Sequence, residues 1–205
     1  MEHMMTEPIL KILKLLEIAA SDSQIQSLQR YSEMVLAHNP RVNITGAKDL
    51  STFIEGPLFD ALTLLTVVTP AGTFVDIGSG GGLPAVPLCI LRPDMQLTLV
   101  EPRTKRAAFL KTVIDAFHLN AEVLQTQDRE LAQKVFDGAS AQAVFPPARW
   151  IARARKLVCE GGAIYTLTSV EITPEILPNR VALEVQKTFH RGDVVRYAAR
   201  LRKTA

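Results

Sequence analysis

Apolar residues Ile9, Leu10, Leu13, Leu16 and Ile18 recur at helical spacing near the start of the chain, the periodicity of a helix that buries one face. Ser21-Asp22-Ser23-Gln24 then offers a capping sequence for a second helix directed towards His38, which Asn39-Pro40 is expected to end. Asn43-Ile44-Thr45-Gly46 is turn-forming, and Phe59, Leu62, Leu64, Leu65 and Val68 mark a third helical pattern. From about residue 71 the pattern changes to short apolar runs alternating with helices, as in a parallel sheet covered on both faces. Strands are predicted at 73–77, 96–100, 121–124, 138–144 and 162–167. Helices are predicted at 83–91, with Pro84 in the first turn, at 104–117 and at 147–157. Residues 181–189 and 194–201, joined by His190-Arg191-Gly192-Asp193, read as a terminal hairpin. The expectation is one α/β domain over 1–205, with a helical N-terminal extension at 1–70 and a Rossmann-like core at 71–205.

Composition agrees with that architecture and narrows the rest. A chain of 205 residues, 47% hydrophobic and 21% charged, has the make-up of a globular domain, and at this size it needs neither disulfides nor a structural metal to hold a core. Cys89 and Cys159 stand 70 positions apart with no CxxC and no paired histidines. That points to a reducing compartment and against a zinc site, so no metal is expected. The stretch 9–20 is interrupted by Lys11, Lys14 and Glu17, which excludes it as a membrane span or signal peptide and leads to the expectation of a cytoplasmic protein with no membrane partner. A net charge of +2 makes no general case for nucleic acid. From Arg180 onward, however, seven basic residues stand against Glu184 and Asp193, so the end of the chain is locally basic.

The densest chemical signal is Val75-Asp76-Ile77-Gly78-Ser79-Gly80-Gly81-Gly82-Leu83-Pro84, where the first strand hands over to a helix. Glycines there let a ligand approach the backbone, and the helix start presents unpaired N–H groups. A nucleoside triphosphate loop requires GxxxxGK[ST], and no lysine occurs between Asp76 and Glu101. A dinucleotide fingerprint requires a third glycine where this chain has Leu83. S-adenosylmethionine fits: an acid ends the first strand, a GxGxG loop follows, and a second acid, Glu101, ends the second strand 25 residues after the first. Asp76 is expected at the loop entrance, Gly78, Gly80, Gly82 and Leu83 beneath the methionine and ribose, and Glu101 on both ribose hydroxyls. The fold class expected is therefore a Rossmann-like class I S-adenosylmethionine-dependent methyltransferase, with a seven-stranded, mainly parallel sheet closed by a C-terminal antiparallel hairpin.

The run from Val75 to Leu88, together with Leu99-Val100-Glu101-Pro102-Arg103-Thr104-Lys105-Arg106-Ala107-Ala108-Phe109-Leu110, resembles the glucose-inhibited division protein B family, and Asn39-Pro40-Arg41-Val42-Asn43-Ile44-Thr45 resembles that family's upstream segment. The resemblance implies a bacterial enzyme that methylates N7 of a guanine in small-subunit (16S) ribosomal RNA. It also implies cofactor contacts at Asp128, Arg129 and Gln142. Arg103, Lys105 and Arg106, just past Glu101, form a phosphate-facing cluster expected to contact RNA, with a solvated helix N-terminus as the alternative. Some positions depart from the family pattern. Pro57 replaces a histidine ahead of Asp60, Gln127-Asp128-Arg129 stands for Arg-x-Glu, Ala141-Gln142-Ala143 for Ser-Arg-Ala, and Thr168-Ser169 for Lys-Gly. These losses open an alternative, a retargeted or catalytically weak relative that binds cofactor and RNA, or a protein partner, without efficient rRNA methylation. Guanine N7 carries its own lone pair, so the reaction needs placement rather than a general base, and no catalytic residue is singled out. His3, His38, His118 and His190 are scattered, and Trp150 and Tyr165 are read as core before base-stacking groups. A monomer is expected.

Overall fold

The computed structural model describes residues 6–69, 72–131, 135–142 and 144–205. One sheet contains β1 Thr73–Ile77, β2 Gln96–Val100, β3 Ala121–Leu124, β4 Phe136–Ala141, β5 Val158–Thr168, β6 Val181–Arg191 and β7 Val194–Lys203. The strand order is β3-β2-β1-β4-β5-β7-β6, with β1 to β5 parallel and β7 antiparallel to both β5 and β6. β1 and β4 adjoin where the order reverses. The crevice outside their carboxyl ends is where an open α/β sheet accepts ligands.

Alternation along β1 sends Phe74 to one apolar cluster and Val75 and Ile77 to the other, so both faces of the sheet are covered. The first face carries α1 Glu7–Leu15, α2 Asp22–Val42, α3 Leu50–Phe53, α4 Phe59–Leu65, α5 Ala85–Leu91 and α6 Thr104–Phe117. Ile9, Leu28, Tyr31, Phe53, Leu62 and Leu110 from these helices share one cluster with Phe74 and Leu97. Each such buried side chain contributes roughly 1.5–3 kcal/mol, so the N-terminal helices are part of the main core. The opposite face is held by α7 Pro147–Ala154 through Trp150, Ile151 and Ala154.

β1, β2, β3 and α6 have the boundaries read from the sequence. Elsewhere local chemistry moved them. α2 passes through Asn39-Pro40 and ends only at Val42, because Pro40 removes a single donor in the last turn while Asn43 still donates to the Asn39 carbonyl before the chain turns away at φ 54°. The Asp49 carboxylate accepts from the Thr52 N–H and starts a helical run well before residue 59, and the π turn Ile54–Leu58 carries it across Gly56-Pro57 into α4. α5 begins at Ala85 rather than 83, since Leu83 and Pro84 belong to the preceding turn. β4 is shifted to Phe136–Ala141 and α7 stops at Ala154, while β5 lengthens to Val158–Thr168. The hairpin strands reach Arg191 and Lys203, leaving Gly192-Asp193 as a two-residue turn with positive φ at Gly192. Ala143, His3 and the 70–71 junction lie outside the described residues.

Candidate cofactor and RNA site

The turn after β1 is fixed to the end of β2. Gly78 and Ser79 donate their N–H groups to the Val100 carbonyl at 2.8 and 3.1 Å. Gly78 has φ 70°, and a Cβ there would stand 2.7 Å from Val144 Cγ2, so geometry and space both demand glycine. Glu101, 3% exposed, closes the turn: Oε2 accepts the Gly80 N–H at 2.9 Å and Oε1 the Arg103 N–H at 2.8 Å. Each oxygen retains acceptor capacity, as a ribose diol requires.

Asp76 is not at the loop entrance. On a strand covered on both faces its side chain points inward, and it is 0% exposed beneath the turn. Oδ1 accepts the Ser140 hydroxyl at 2.6 Å, and Oδ2 is buried without a hydrogen-bond donor. Burial pushes its pKa up to about 7, opposed by the Ser140 hydrogen bond and the nearby Ser79 hydroxyl, which donates to the Asp76 backbone carbonyl at 3.0 Å, and reinforced by the Glu101 carboxylate.

A cleft of about 600 Å³ lies above the turn, lined by Gly78, Ser79, Gly80, Gly81, Leu83 and Glu101 from the core, and by Tyr31, Ile44 and Thr45 from the N-terminal helices and their loop. Gly82 lies in the turn with φ 101° and faces Val86 and Leu110 instead. The Tyr31 hydroxyl donates to the Gly81 carbonyl at 2.9 Å. The Asn39 amide holds the facing loop: Oδ1 accepts from the N–H groups of Ile44 and Thr45 at 2.7 and 2.9 Å, and Nδ2 donates to the Thr45 carbonyl at 2.9 Å. A smaller lobe of about 170 Å³, lined by Thr126, Gln127 and Asp128, shares Gly78, Pro102 and Val144 with the cleft. A third cavity of about 320 Å³ opens at the ends of β4 and β5, where Thr166, Thr168 and Ser169 meet Trp150, Asp60 and Arg196. Gln142 lines both this cavity and the main cleft.

The remaining residues expected at the site divide. Asp128 reaches the small lobe, but its carboxylate is also engaged by the Arg153 Nε at 2.6 Å. Arg129 is exposed on the turn after β3 and lines none of these three cavities, because the short helical turn Asp128–Glu130 directs it outward. Arg103 is exposed at the cleft rim, and Lys105 is exposed on the first turn of α6. Arg106 also lines the cleft, where its guanidinium donates to the Asn43 carbonyl while its Nε is buried without a partner. Trp150 and Tyr165 belong to the core, at 1% and 0% exposure, with the indole N–H on the Tyr165 carbonyl at 2.8 Å. The sequence reading gave Tyr31 no site role and named Asn39 only as part of the segment that resembles the family's. It also gave no role to Asp60, 8% exposed, which meets Arg196 Nε at 3.1 Å and Arg191 Nε at 3.8 Å across the hairpin. The sequence signals for Asp60 were its retention behind Pro57 in the family pattern and a polar residue at a helical apolar position. No helix among the described residues is long and apolar enough to cross a membrane, and no group of three or more metal-ligating side chains occurs among them.

The strand order, the antiparallel final pair and the glycine turn facing an acid at the end of β2 define a class I S-adenosylmethionine-dependent methyltransferase fold. Solved structures share it. TrmN from Thermus thermophilus aligns with a TM-score of 0.56 at 22% identity over 75% of this chain and 53% of that one. A mutant of MtNAS in complex with S-adenosylmethionine aligns with a TM-score of 0.60 at 14% identity over 87% and 75%. Within that class, the family model described as rRNA small subunit methyltransferase G matches residues 24–197, and the chain belongs to that family. Proteins named ribosomal RNA small subunit methyltransferase G are 33% identical in Neisseria meningitidis, over 86% of this chain and 87% of the relative, and 34% identical in Chloroflexus aggregans, over 82% and 74%.

Proposed function

We propose that this protein transfers a methyl group from S-adenosylmethionine to N7 of a guanine in the 16S ribosomal RNA of the small subunit. The observation that carries the reading is the junction of two cavities at Gln142, one built around the glycine turn and Glu101, the other open at the ends of β4 and β5. The residues suit the cofactor. Glu101 keeps a free acceptor site on each oxygen for the ribose hydroxyls, and the lobe at Thr126, Gln127 and Asp128 adds the apolar lining of Ile77, Val100 and Pro102 for an adenine. When bound, the cofactor supplies a methyl group on a positively charged sulfur.

The chain's own task is placement. Guanine N7 attacks with a lone pair and loses no proton, so holding it in line with the methyl-bearing sulfur is the main contribution required. Glu101 and the glycine turn fix one partner, and the 320 Å³ cavity walled by Trp150 and the β5 end receives the other. Arg103 and Lys105, exposed beside the cleft, lie where phosphates of the RNA would pass. The cleft is complete within one chain, which favours action as a monomer, and the substrate favours a cytoplasmic location.

Catalysis is favoured over a binding-only relative because the lost Arg and Lys positions leave neutral polar groups rather than blocked cavities. The test is transfer of labelled methyl to small-subunit rRNA from a strain that lacks the family's enzyme. Labelled 7-methylguanosine is the expected product. An unlabelled rRNA, with the protein shown to bind S-adenosylhomocysteine, would overturn the reading.

A further inference from the structure

Gln142 is the one side chain among the described residues that lines both the 600 Å³ cleft and the 320 Å³ cavity. It follows the last residue of β4, is half-buried, and its Oε1 is buried without a hydrogen-bond partner. A buried amide oxygen left unpaired works against folding, so an apolar side chain would suit the folded chain alone better. An amide offers one acceptor and two donors, so a residue between two ligand spaces can meet a partner on each side.

Resting on the function proposed above, we infer that Gln142 bridges the two reactants. Its Oε1 accepts from the ammonium group of S-adenosylmethionine in the larger cleft, and its Nε2 donates to O6 of the target guanine in the smaller cavity. A guanine that presents N7 to the methyl group brings O6, the neighbouring acceptor of the same edge, to this junction. The ammonium then sets the amide's orientation, because turning the amide round would place its N–H against another donor. With the amide so fixed, a donor faces the base. Guanine O6 matches it, whereas the adenine amino group would not. An arginine at this position could donate to O6 but has no acceptor for the ammonium, so the bridge is specific to the glutamine of this chain.

The experiment uses Gln142→Met, of similar length without hydrogen bonding, and Gln142→Glu, which keeps the acceptor and loses the donor. Calorimetry compares S-adenosylhomocysteine, which carries the ammonium, with 5′-methylthioadenosine, which lacks it. Methyl transfer is measured on an rRNA fragment carrying guanine at the position that the wild-type protein methylates, and on one carrying 2-aminopurine there, which keeps N7 but lacks O6. Gln142→Met is expected to lower affinity for S-adenosylhomocysteine severalfold and leave that for 5′-methylthioadenosine unchanged. It should lower kcat/KM tenfold or more on the guanine fragment, with no further loss on the 2-aminopurine fragment. Gln142→Glu should retain S-adenosylhomocysteine affinity and keep the deficit on guanine. Equal losses for both nucleosides, or equal losses on both RNA fragments, overturn the bridge alone. If the wild-type protein transfers no methyl group to the guanine fragment, the functional reading falls and the bridge with it.

Discussion

Replacing Asp76 with Asn should flatten the dependence of stability on pH, and the size of the effect follows from where the carboxyl lies. Burial raises its pKa from 3.8 to about 7, against the lowering by Ser140 and Ser79 and with a further raise from Glu101. In the unfolded chain the group ionises near 3.8. Between about pH 4 and pH 7 the folded protein therefore holds a proton that the unfolded chain has released, and stability falls as pH rises. The contribution is fully present below 3.8 and lost above about 7. A shift of about three pH units at ~1.4 kcal/mol each amounts to on the order of 4 kcal/mol. Asparagine keeps an acceptor for the Ser140 hydroxyl and places an NH2 where Oδ2 has no donor. That new buried donor costs roughly 1–3 kcal/mol, and the same at every pH. Glu184 and Asp137 titrate with lowered pKa values in both proteins and cancel in the comparison. Urea unfolding of both proteins from about pH 4 to pH 7.5 should show the difference moving by on the order of 4 kcal/mol in favour of the variant. Parallel curves would refute the reasoning, since a charge-independent role for Asp76 predicts a constant offset.

Glu101→Ala should weaken S-adenosylhomocysteine binding by roughly 1–3 kcal/mol in calorimetry, because it strips both the diol acceptor and the anchor of the Gly80 N–H; unchanged affinity would remove Glu101 from the cofactor site. Gly78→Ala should abolish cofactor binding or folding, since the added carbon meets Val144 Cγ2 at 2.7 Å with φ 70°, and a variant with normal affinity would contradict the close packing. Tyr31→Phe removes the hydrogen bond to the Gly81 carbonyl and should cost about 0.5–1.5 kcal/mol in denaturant unfolding; no change would mean the N-terminal helices do not brace the turn. The double variant Arg103→Ala/Lys105→Ala should reduce the salt slope of rRNA affinity by about 0.7–0.9 for each phosphate that is no longer neutralised, whereas an unaltered slope places the phosphates elsewhere.

Much of the fold was legible because its signals are local. β1 and β2 stand out as mostly buried apolar runs and β3 as a short, half-buried one, and the 104–117 helix repeats its apolar face at Ala107, Leu110 and Val113. The glycine turn and Glu101 were equally legible, as their spacing encodes one strand-helix-strand unit. What escaped depends on partners distant in sequence. Tyr31 meets Gly81 across 50 residues and Arg196 meets Asp60 across 136, and nothing local distinguishes those side chains from others on their elements. Asp76 was misplaced for a related reason. Its position at a strand end suggested the mouth of the site, but the neighbouring β4 brings Ser140 against it and closes the interior above it. Arg106 shows the same limit, since a basic residue in the first turn of α6 is tied to the Asn43 carbonyl, 63 residues away, at the wall of the cleft.

The basic C-terminal stretch bears directly on how this protein would meet RNA. Arg191 and Arg196 face Asp60, Arg200 and Arg202 face Glu184, and Lys187 and Lys203 donate to the Thr66 and Val158 carbonyls. Six of the seven basic residues from Arg180 onward are thus engaged in joining the hairpin to itself, to α4 and to the strand edge. Partly exposed pairs of this kind contribute about 0–1 kcal/mol each to stability, yet they divert the same guanidinium groups from phosphates, because breaking a pair to engage a phosphate yields only the difference. Long-range attraction is weak at a net charge of +2. Recognition would then rest on a few rim contacts near Arg103 and Lys105, and on the fit of one base in the 320 Å³ cavity. A protein built this way should bind folded small-subunit RNA, where the target nucleotide is already presented, in preference to unstructured RNA of equal length, because shape rather than counterion release would supply most of the discrimination.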